Sequence, residues 1–436
     1  MNKFGQVYIR RKIGNSYDNL ELIPSARFSN LDHKWYDSDG EIHSEFDQHH
    51  GRDISLFFKT TQYDKNGDLV NFQGGMRVPC KLGEIGNQDF EGVDEAGQED
   101  LKILRRFNLI PEDLSEQKTS RLLEITAFLA AIHTGSKLKD IKMHRICNIA
   151  LFIFDDDMEK LAGSKFNSFR EFLNSTNTIM DKNSGVETVN HRKEMVPELL
   201  LNHLNLFQFF EKELSNAEGN TNRGKSVRET LMAAVEAICV EVCLEWNEER
   251  SALLDSTQKD IRTIATGGSF TLEMIIFEAK INVKAEIRNT ALFKLFLRQM
   301  AYYIGLTNDL ISYRKEVEAD RAGCNMVFVL HHNKSIPLQK AMQQILDKAN
   351  RLSALLVETG EMLTNLYKND NDLQLYVGKA KNLAYACIQW STHTDRYHKG
   401  WVSNTIAFWK QRCAQMRCSR NAIRNQSSTS TWQTYD

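Results

Sequence analysis

Asn308, Ser312 and Glu316 stand four residues apart in the run Asn-Asp-Leu-Ile-Ser-Tyr-Arg-Lys-Glu. Each carries an oxygen that a hard cation accepts as a ligand. At about 100° per residue on a helix, Ser312 sits about 40° round from Asn308, Glu316 about 80°, and Lys315 about 20° to the other side. All four therefore share one face. With a rise of about 1.5 Å per residue, the three oxygens spread over about 12 Å. Mg²⁺ takes oxygen ligands, keeps some waters and accepts phosphate oxygens, and the lysine adds a point charge for those phosphates. The chemistry in this face is a grip on a metal and a diphosphate. Standing alone, the same residue types also describe an ordinary solvated helix face.

The face does not stand alone. Upstream, Leu-Phe-Ile-Phe-Asp-Asp-Asp-Met-Glu places Asp155, Asp156 and Glu159 at the end of an apolar run, with Asp155 and Glu159 four apart on one side of a helix. Three consecutive aspartates repel one another, and a bound cation would relieve that repulsion. A charged helix end is the plain alternative.

Together these residues resemble the microbial type of class I terpene synthase, in which an aspartate-rich motif faces an Asn-Asp-x-x-Ser-x-x-x-Glu motif across a helical bundle. Further segments match in order. Arg262, in Asp-Ile-Arg-Thr-Ile-Ala-Thr-Gly-Gly, lies 46 residues before Asn308, where the family has an arginine that senses diphosphate. Gln-Trp-Ser-Thr-His-Thr-Asp-Arg-Tyr supplies the Arg-Tyr pair, Arg396 and Tyr397, 80 residues after Glu316. Glu-Trp-Asn-Glu-Glu-Arg around Trp246 and the segment from Asn325 also look like family segments. The resemblance covers roughly residues 98 to 405. Two departures stand out: Glu159 occupies a position where many relatives have aspartate, and the two acidic motifs lie 153 residues apart, longer than in compact bacterial members. A polar insertion from Asn174 to Lys193 accounts for that length.

The resemblance implies an all-α class I terpenoid synthase bundle that cyclises a linear prenyl diphosphate, farnesyl or geranylgeranyl diphosphate. It implies Mg²⁺ as cofactor, three ions, with Mn²⁺ an alternative. Asp155 would serve two ions, Asn308, Ser312 and Glu316 the third, and Asp156 and Glu159 would support them. Arg262, Lys315, Arg396 and Tyr397 would hold phosphate oxygens. The carbonyl of Thr266 would face the forming cation, with Ala265 as linker and Gly267 at the helix break. Phe152, Phe154 and Trp390 are expected to line the cavity, although any one of them is also explained by core packing. Two other functions remain open: prenyl chain elongation, which usually needs a second aspartate-rich motif where this chain has Asn308 to Glu316, and a non-catalytic helical binding protein.

The elements that must position these residues follow from composition. The chain has 436 residues, 42% of them hydrophobic, enough for a sizeable core. Of the 23 glycines, 11 fall in residues 1–97, which also hold two of the five prolines, so this part reads as an irregular or strand-containing extension packed on the bundle. From residue 98 to 418, apolar residues recur at spacings of three and four. Helices are expected at 98–108, 118–134, 137–161, 166–174, 196–215, 225–254, 257–284, 286–320, 337–367 and 372–400, with Thr266-Gly267-Gly268 interrupting one of them. Residues 419–436 read as a disordered tail. The extension and tail set the chain apart from compact bacterial members and suit a eukaryotic relative such as the terpene cyclases of corals.

Several classes are disfavoured. A net charge of −2 with no basic stripe argues against a nucleic-acid partner. The absence of a signal-type segment and of a long apolar run predicts a cytoplasmic chain without membrane insertion, acting as a monomer or homodimer. The eight cysteines lack zinc-site spacing. His43, His49 and His50 with Asp47 and Asp53 could bind a metal but read better as a solvated turn. Gly219 to Ser226 satisfies the phosphate-loop pattern, yet it follows a charged helix end instead of a buried strand, so a helix-to-helix linker is the better reading.

Overall fold

The computed structural model describes residues 7–13, 16–24, 35–36, 42–43, 53–63, 69–81, 92–133, 137–161, 172–176, 197–218, 224–245, 255–318 and 324–391. Arg396, Tyr397, Trp246, His49, His50, Asp47, most of the polar insertion and the 419–436 tail lie outside them.

Among the described residues the bundle has ten helices of eleven residues or more. They are α1 Val93–Arg106, α2 Glu116–Ile132, α3 Lys142–Leu161, α4 Glu198–Glu218 and α5 Lys225–Glu245, followed by α6 Asp255–Ala265, α7 Gly268–Glu278, α8 Ala291–Glu318, α9 Leu338–Leu366 and α10 Asn371–Ser391. A 3-10 turn, Leu138–Ile141, leads into α3, and a single turn, Ala285–Arg288, precedes α8. The fold is the expected all-α bundle. Two of the predicted spans divide: 257–284 becomes α6 and α7, and 286–320 becomes the short turn plus α8.

The first division has a clear cause. Gly267 sits at φ +68°, in the left-handed region that side chains with a Cβ avoid, and α6 ends two residues earlier, at Ala265. Gly268 then starts α7 so close to α8 that a Cβ there would lie 3.1 Å from Ile304 Cδ1. From Gly268 to Phe277, α7 is buried on nearly every side. A helix that is apolar all round belongs at the centre of a bundle, and α7 contributes to two of the three core clusters.

Most of the described residues of the amino-terminal extension form strands, one of the two alternatives expected. The extension contains a four-stranded antiparallel sheet in the order β1-β2-β5-β6, with β1 Val7–Ile13, β2 Ser16–Pro24, β5 Asp53–Tyr63 and β6 Leu69–Lys81, and a two-residue pair β3 Trp35–Tyr36 with β4 Ile42–His43. The β5–β6 ladder runs from Tyr63↔Leu69 to Asp53↔Lys81 with one irregularity. Backbone pairing accounts for this sheet despite its many glycines, since Gly74 and Gly75 sit opposite Phe58 and Phe57. β6 lies against α9 and α10, and Phe72 and Met76 are buried in a core cluster with Tyr303, Leu346 and Tyr385. The boundary drawn at 97/98 falls inside α1, because Gly97 is a helical residue packed beside Leu123.

Buried polar groups tie the bundle as well. Arg145 on α3 meets Asp100 on α1 through two parallel bonds of 2.8 and 2.9 Å, and it also donates to the Leu138 carbonyl. Such a pair fixes orientation, because removing either partner strands a charge in the core. Phe72→Ala should destabilise the protein by about 3–5 kcal/mol, lowering the urea midpoint in one cooperative transition. A loss under about 1 kcal/mol would mean that the sheet contributes little to the packing of the bundle.

Candidate active site

Arg262, in the last turn of α6, is the hub of the site. Its Nε donates to Asp309 Oδ1 at 2.6 Å, and its Nη2 donates to Asn308 Oδ1 at 2.9 Å and Glu316 Oε1 at 2.8 Å. Nη1 faces Glu241 of α5 at 3.4 Å. The separation read along the chain thus becomes direct contact. Asn325, just past α8, closes the arrangement: its Nδ2 donates to Glu316 Oε2 and to the Asp309 carbonyl, both at 2.9 Å, and its Oδ1 caps the following turn. Met326 N donates to Asp309 Oδ2 at 3.0 Å.

The α8 face is the one expected from helical geometry. Ser312 is buried and its Oγ reaches Asn308 Oδ1 at 3.5 Å, while Lys315 lines the same cavity as Asn308 and Glu316. From α3, Asp155 lines that cavity too. Asp156 stands 3.9 Å from Lys315, linking α3 to α8. Asp157 belongs elsewhere: its Oδ2 pairs with buried His203 of α4 at 3.0 Å. The three aspartates are therefore splayed by helical rotation, and part of their repulsion is relieved by His203 and Lys315. Glu159 lies on α3, but its side chain is outside the described set.

The walls come from the helix break and the apolar helices. Ala265, Thr266, Gly267 and Gly268 line the cavity. So do Phe152, Phe128 and Trp390, with both phenyl rings 5.2 Å from the indole between their centroids. Phe154 corrects the sequence expectation: it is fully buried against Phe172, His203 and Phe207, away from the cavity. Two residues on from Phe152 it has rotated by about 200° round α3. Hydrophobicity alone did not separate the two positions.

Three participants were missed as functional residues in the sequence. Asp309 and Asn325 stood inside quoted motifs without a role. Glu241 is the single carboxylate in the apolar stretch Ile238–Leu244, and a lone acid on a buried helix face was the available signal.

The electrostatics show an incompletely compensated site. Asp155, Asp156, Glu241, Asp309 and Glu316 set five carboxylates around two cations, Arg262 and Lys315, an excess of three negative charges if all ionise. Burial pushes Glu241 up to about 8, against the pull of Arg262 and with the push of Asp155, Glu316 and Asp309. Burial also raises Asp309 to about 6, opposed by Arg262 and the Met326 N–H. Burial acts upward on Glu316 as well, yet Arg262, Ser312, Asn325 and Lys315 together hold it below the usual glutamate value. An oxygen-only donor set with surplus negative charge fits a hard divalent cation.

Residues 147–353 match the family described as terpene synthase family 2, C-terminal metal binding. That stretch is a little under half of the chain. Terpene synthase 1 of Tieghemostelium lacteum is 25% identical over 196 residues, 40% of this chain and 52% of that protein. The chain thus spans about half the length of that relative. Germacrene A synthase of Nostoc punctiforme is 21% identical over 319 residues, 70% of this chain and 90% of that one. Germacradien-4-ol synthase from Streptomyces citricolor shares the fold, with a TM-score of 0.56 at 13% identity, over 71% of this chain and 96% of that structure. The family match runs from within α3 to within α9 and so includes every described residue of the acidic, arginine and Asn-Ser-Glu segments. The family is a metal-binding one, in keeping with a divalent cofactor.

Glu241 supplies a pH test on the metal-free protein. Its folded value of about 8 lies above the ordinary 4.5, so the unfolded chain releases this proton first. Stability is then highest in acid and falls as pH rises from about 4.5 towards 8, and Asp309 acts in the same sense up to about 6. Glu241→Gln should flatten the fall of Tm between about pH 6 and 8. An equally steep fall in the variant would show that Glu241 titrates normally.

Proposed function

We propose that the protein is a Mg²⁺-dependent class I terpene cyclase that ionises a linear prenyl diphosphate, farnesyl or geranylgeranyl diphosphate, cyclises the carbocation and releases diphosphate. The observation that carries this reading is a single cavity lined both by Asp155, Arg262, Asn308, Lys315 and Glu316 and by Phe128, Phe152 and Trp390. Charged and aromatic groups on one cavity suit a substrate with a diphosphate head and a hydrocarbon tail.

Asp155, with Asp156 and Glu159 in support, and Asn308, Ser312 and Glu316 would hold three Mg²⁺ ions. When bound, these ions supply Lewis acidity that stabilises the charge gathering on the leaving diphosphate. Lys315 adds a fixed positive charge beside the same oxygens. Arg262 keeps Asn308 and Glu316 in position through its bonds to both. With Asn308 and Glu316 serving as metal ligands, its Nη2 would be left to donate to a phosphate oxygen. Arg396 and Tyr397 complete the phosphate contacts in this reading.

The rest of the work is done by shape and dryness. Phe152 and Trp390 present ring faces whose quadrupoles favour a nearby cation. The break after Ala265 leaves the Thr266 carbonyl outside regular helical bonding, and its oxygen would stabilise positive charge as the carbon–oxygen bond breaks. Ile238, Val242 and Ile304 line the cavity with groups that neither attack a carbocation nor retain water. Relatives that bear the names germacrene A synthase and phomopsene synthase support cyclisation over chain elongation.

Incubation of the purified protein with C10, C15 and C20 prenyl diphosphates and Mg²⁺, followed by analysis of organic extracts, should give cyclic hydrocarbons or alcohols and free diphosphate. A longer prenyl diphosphate as product would indicate elongation, and no turnover would favour a binding role. Asn308→Ala and Glu316→Ala should each lower kcat at least about a hundredfold with the helical circular dichroism retained. Lys225→Ala, at an exposed position paired only loosely with Glu229 at 3.8 Å, should leave turnover unchanged. A large loss there together with nucleotide binding by the parent would restore the phosphate-loop alternative.

A further inference from the structure

At the other end of the helices that carry the site, His133, His144 and Glu278 meet in the core. Along α3, His144 lies eleven residues from Asp155, about 16 Å, and along α7 Glu278 lies ten residues from Gly268, about 15 Å. His133 Nε2 is 2.6 Å from His144 Nδ1. Glu278 Oε2 is 3.4 Å from the first nitrogen and 3.7 Å from the second. The side chains of His133, His144 and Glu278 are 1%, 0% and 5% exposed.

We propose that these three residues form a binding site for one transition-metal cation, zinc by its donor chemistry, separate from the proposed diphosphate site. Two imidazole nitrogens and one carboxylate oxygen are a ligand set that zinc accepts and that Mg²⁺, which demands oxygen, does not favour. Tetrahedral zinc at about 2.0–2.1 Å from each ligand places the ligand atoms about 3.3–3.4 Å apart. Both distances from Glu278 are near that, so only the gap between the two rings must widen, by about 0.7 Å. Glu278 is also aimed: its Oε1 accepts the backbone N–H of His144 at 3.1 Å, which leaves Oε2 turned to the rings.

The second observation is an unsatisfied atom in the cluster. Glu278 Oε2 is buried and has no hydrogen-bond partner. Burial holds all three groups towards their uncharged forms: it raises Glu278 well above the usual glutamate value and lowers His133 and His144 below the usual imidazole value. Arg145 is close enough to act on Glu278 but is committed to Asp100 and the Leu138 carbonyl. A divalent cation would take the place of the carboxyl proton and use the lone pairs of both rings at once. Glu278 also lines a second cavity with Asp140, Met143 and Cys147, which offers a path for the ion and room for a water as fourth ligand. Bound there, the ion would tie the carboxyl end of α2, the start of α3 and the end of α7, two of which bear reactive residues at their other ends.

The test uses Co²⁺ as a spectroscopic stand-in for zinc, titrated into chelator-treated full-length protein with Mg²⁺ in excess. One equivalent should bind with the intense visible absorption of four-coordinate cobalt, be displaced by Zn²⁺, and raise Tm. Asn308→Ala should keep this spectrum, whereas Glu278→Gln, close to isosteric, should weaken cobalt binding at least tenfold. His133→Asn provides a second variant judged on the same spectrum if the first fails to fold. Absence of stoichiometric binding to the parent overturns the proposal. So does a spectrum lost in Asn308→Ala and retained in Glu278→Gln. These outcomes do not depend on turnover, so failure of the zinc site and failure of the cyclase reading are distinguishable.

Discussion

One guanidinium organises the reactive end of this molecule. Arg262 is largely buried and touches carboxylates or amide oxygens from α5 and α8 at four positions, Glu241, Asn308, Asp309 and Glu316. A buried charge persists only where its partners are in place, so the approach of α5, α6 and α8 is constrained by this one side chain. The same constraint sets the cavity wall. Arg262 sits one turn before the Gly267 break, and whatever fixes its guanidinium also fixes the direction in which the chain leaves α6 towards α7.

The reverse dependence is equally physical. Three carboxylates around one arginine exceed what it can neutralise, and burial of Glu241 and Asp309 makes the excess costly. Apolar packing elsewhere holds the helices in that arrangement. α7 is buried along its whole length between the clusters that contain Phe270, Ile275 and Met274, and β6 adds Phe72 and Met76 to the cluster behind α8 and α9. Sites that concentrate unfavourable charge need such a scaffold, because hydrophobic burial is the term large enough to offset them.

Along α8 the expected face was legible because a helix is locally periodic: Asn308, Ser312 and Glu316 share a side whatever surrounds them. The glycine pair at 267 and 268 was legible for a similar reason, since backbone freedom is a property of the residue. Phe152 and Phe154 were not separable, because both are apolar and only the neighbours of α3 decide which ring meets the cavity and which meets Phe172. Asp157 posed the same difficulty: its partner His203 is 46 residues away and on another helix. The glycine-rich extension was read as irregular or strand-containing, and composition could not choose between the two or say that β5 pairs with β6 over most of their length, because strand pairing is non-local.

Residue types and short spacings by themselves determined the helical class, the break after Ala265, and the oxygen and ammonium groups on one face of α8, all consequences of geometry within a few residues. Only the tertiary structure decided that Arg262 reaches Asn308, Asp309 and Glu316 together, that Glu241 joins them from α5, and that His133, His144 and Glu278 converge from three helices. Those contacts join residues 11 to 134 positions apart. Packing of whole helices sets such distances, and no local pattern encodes them.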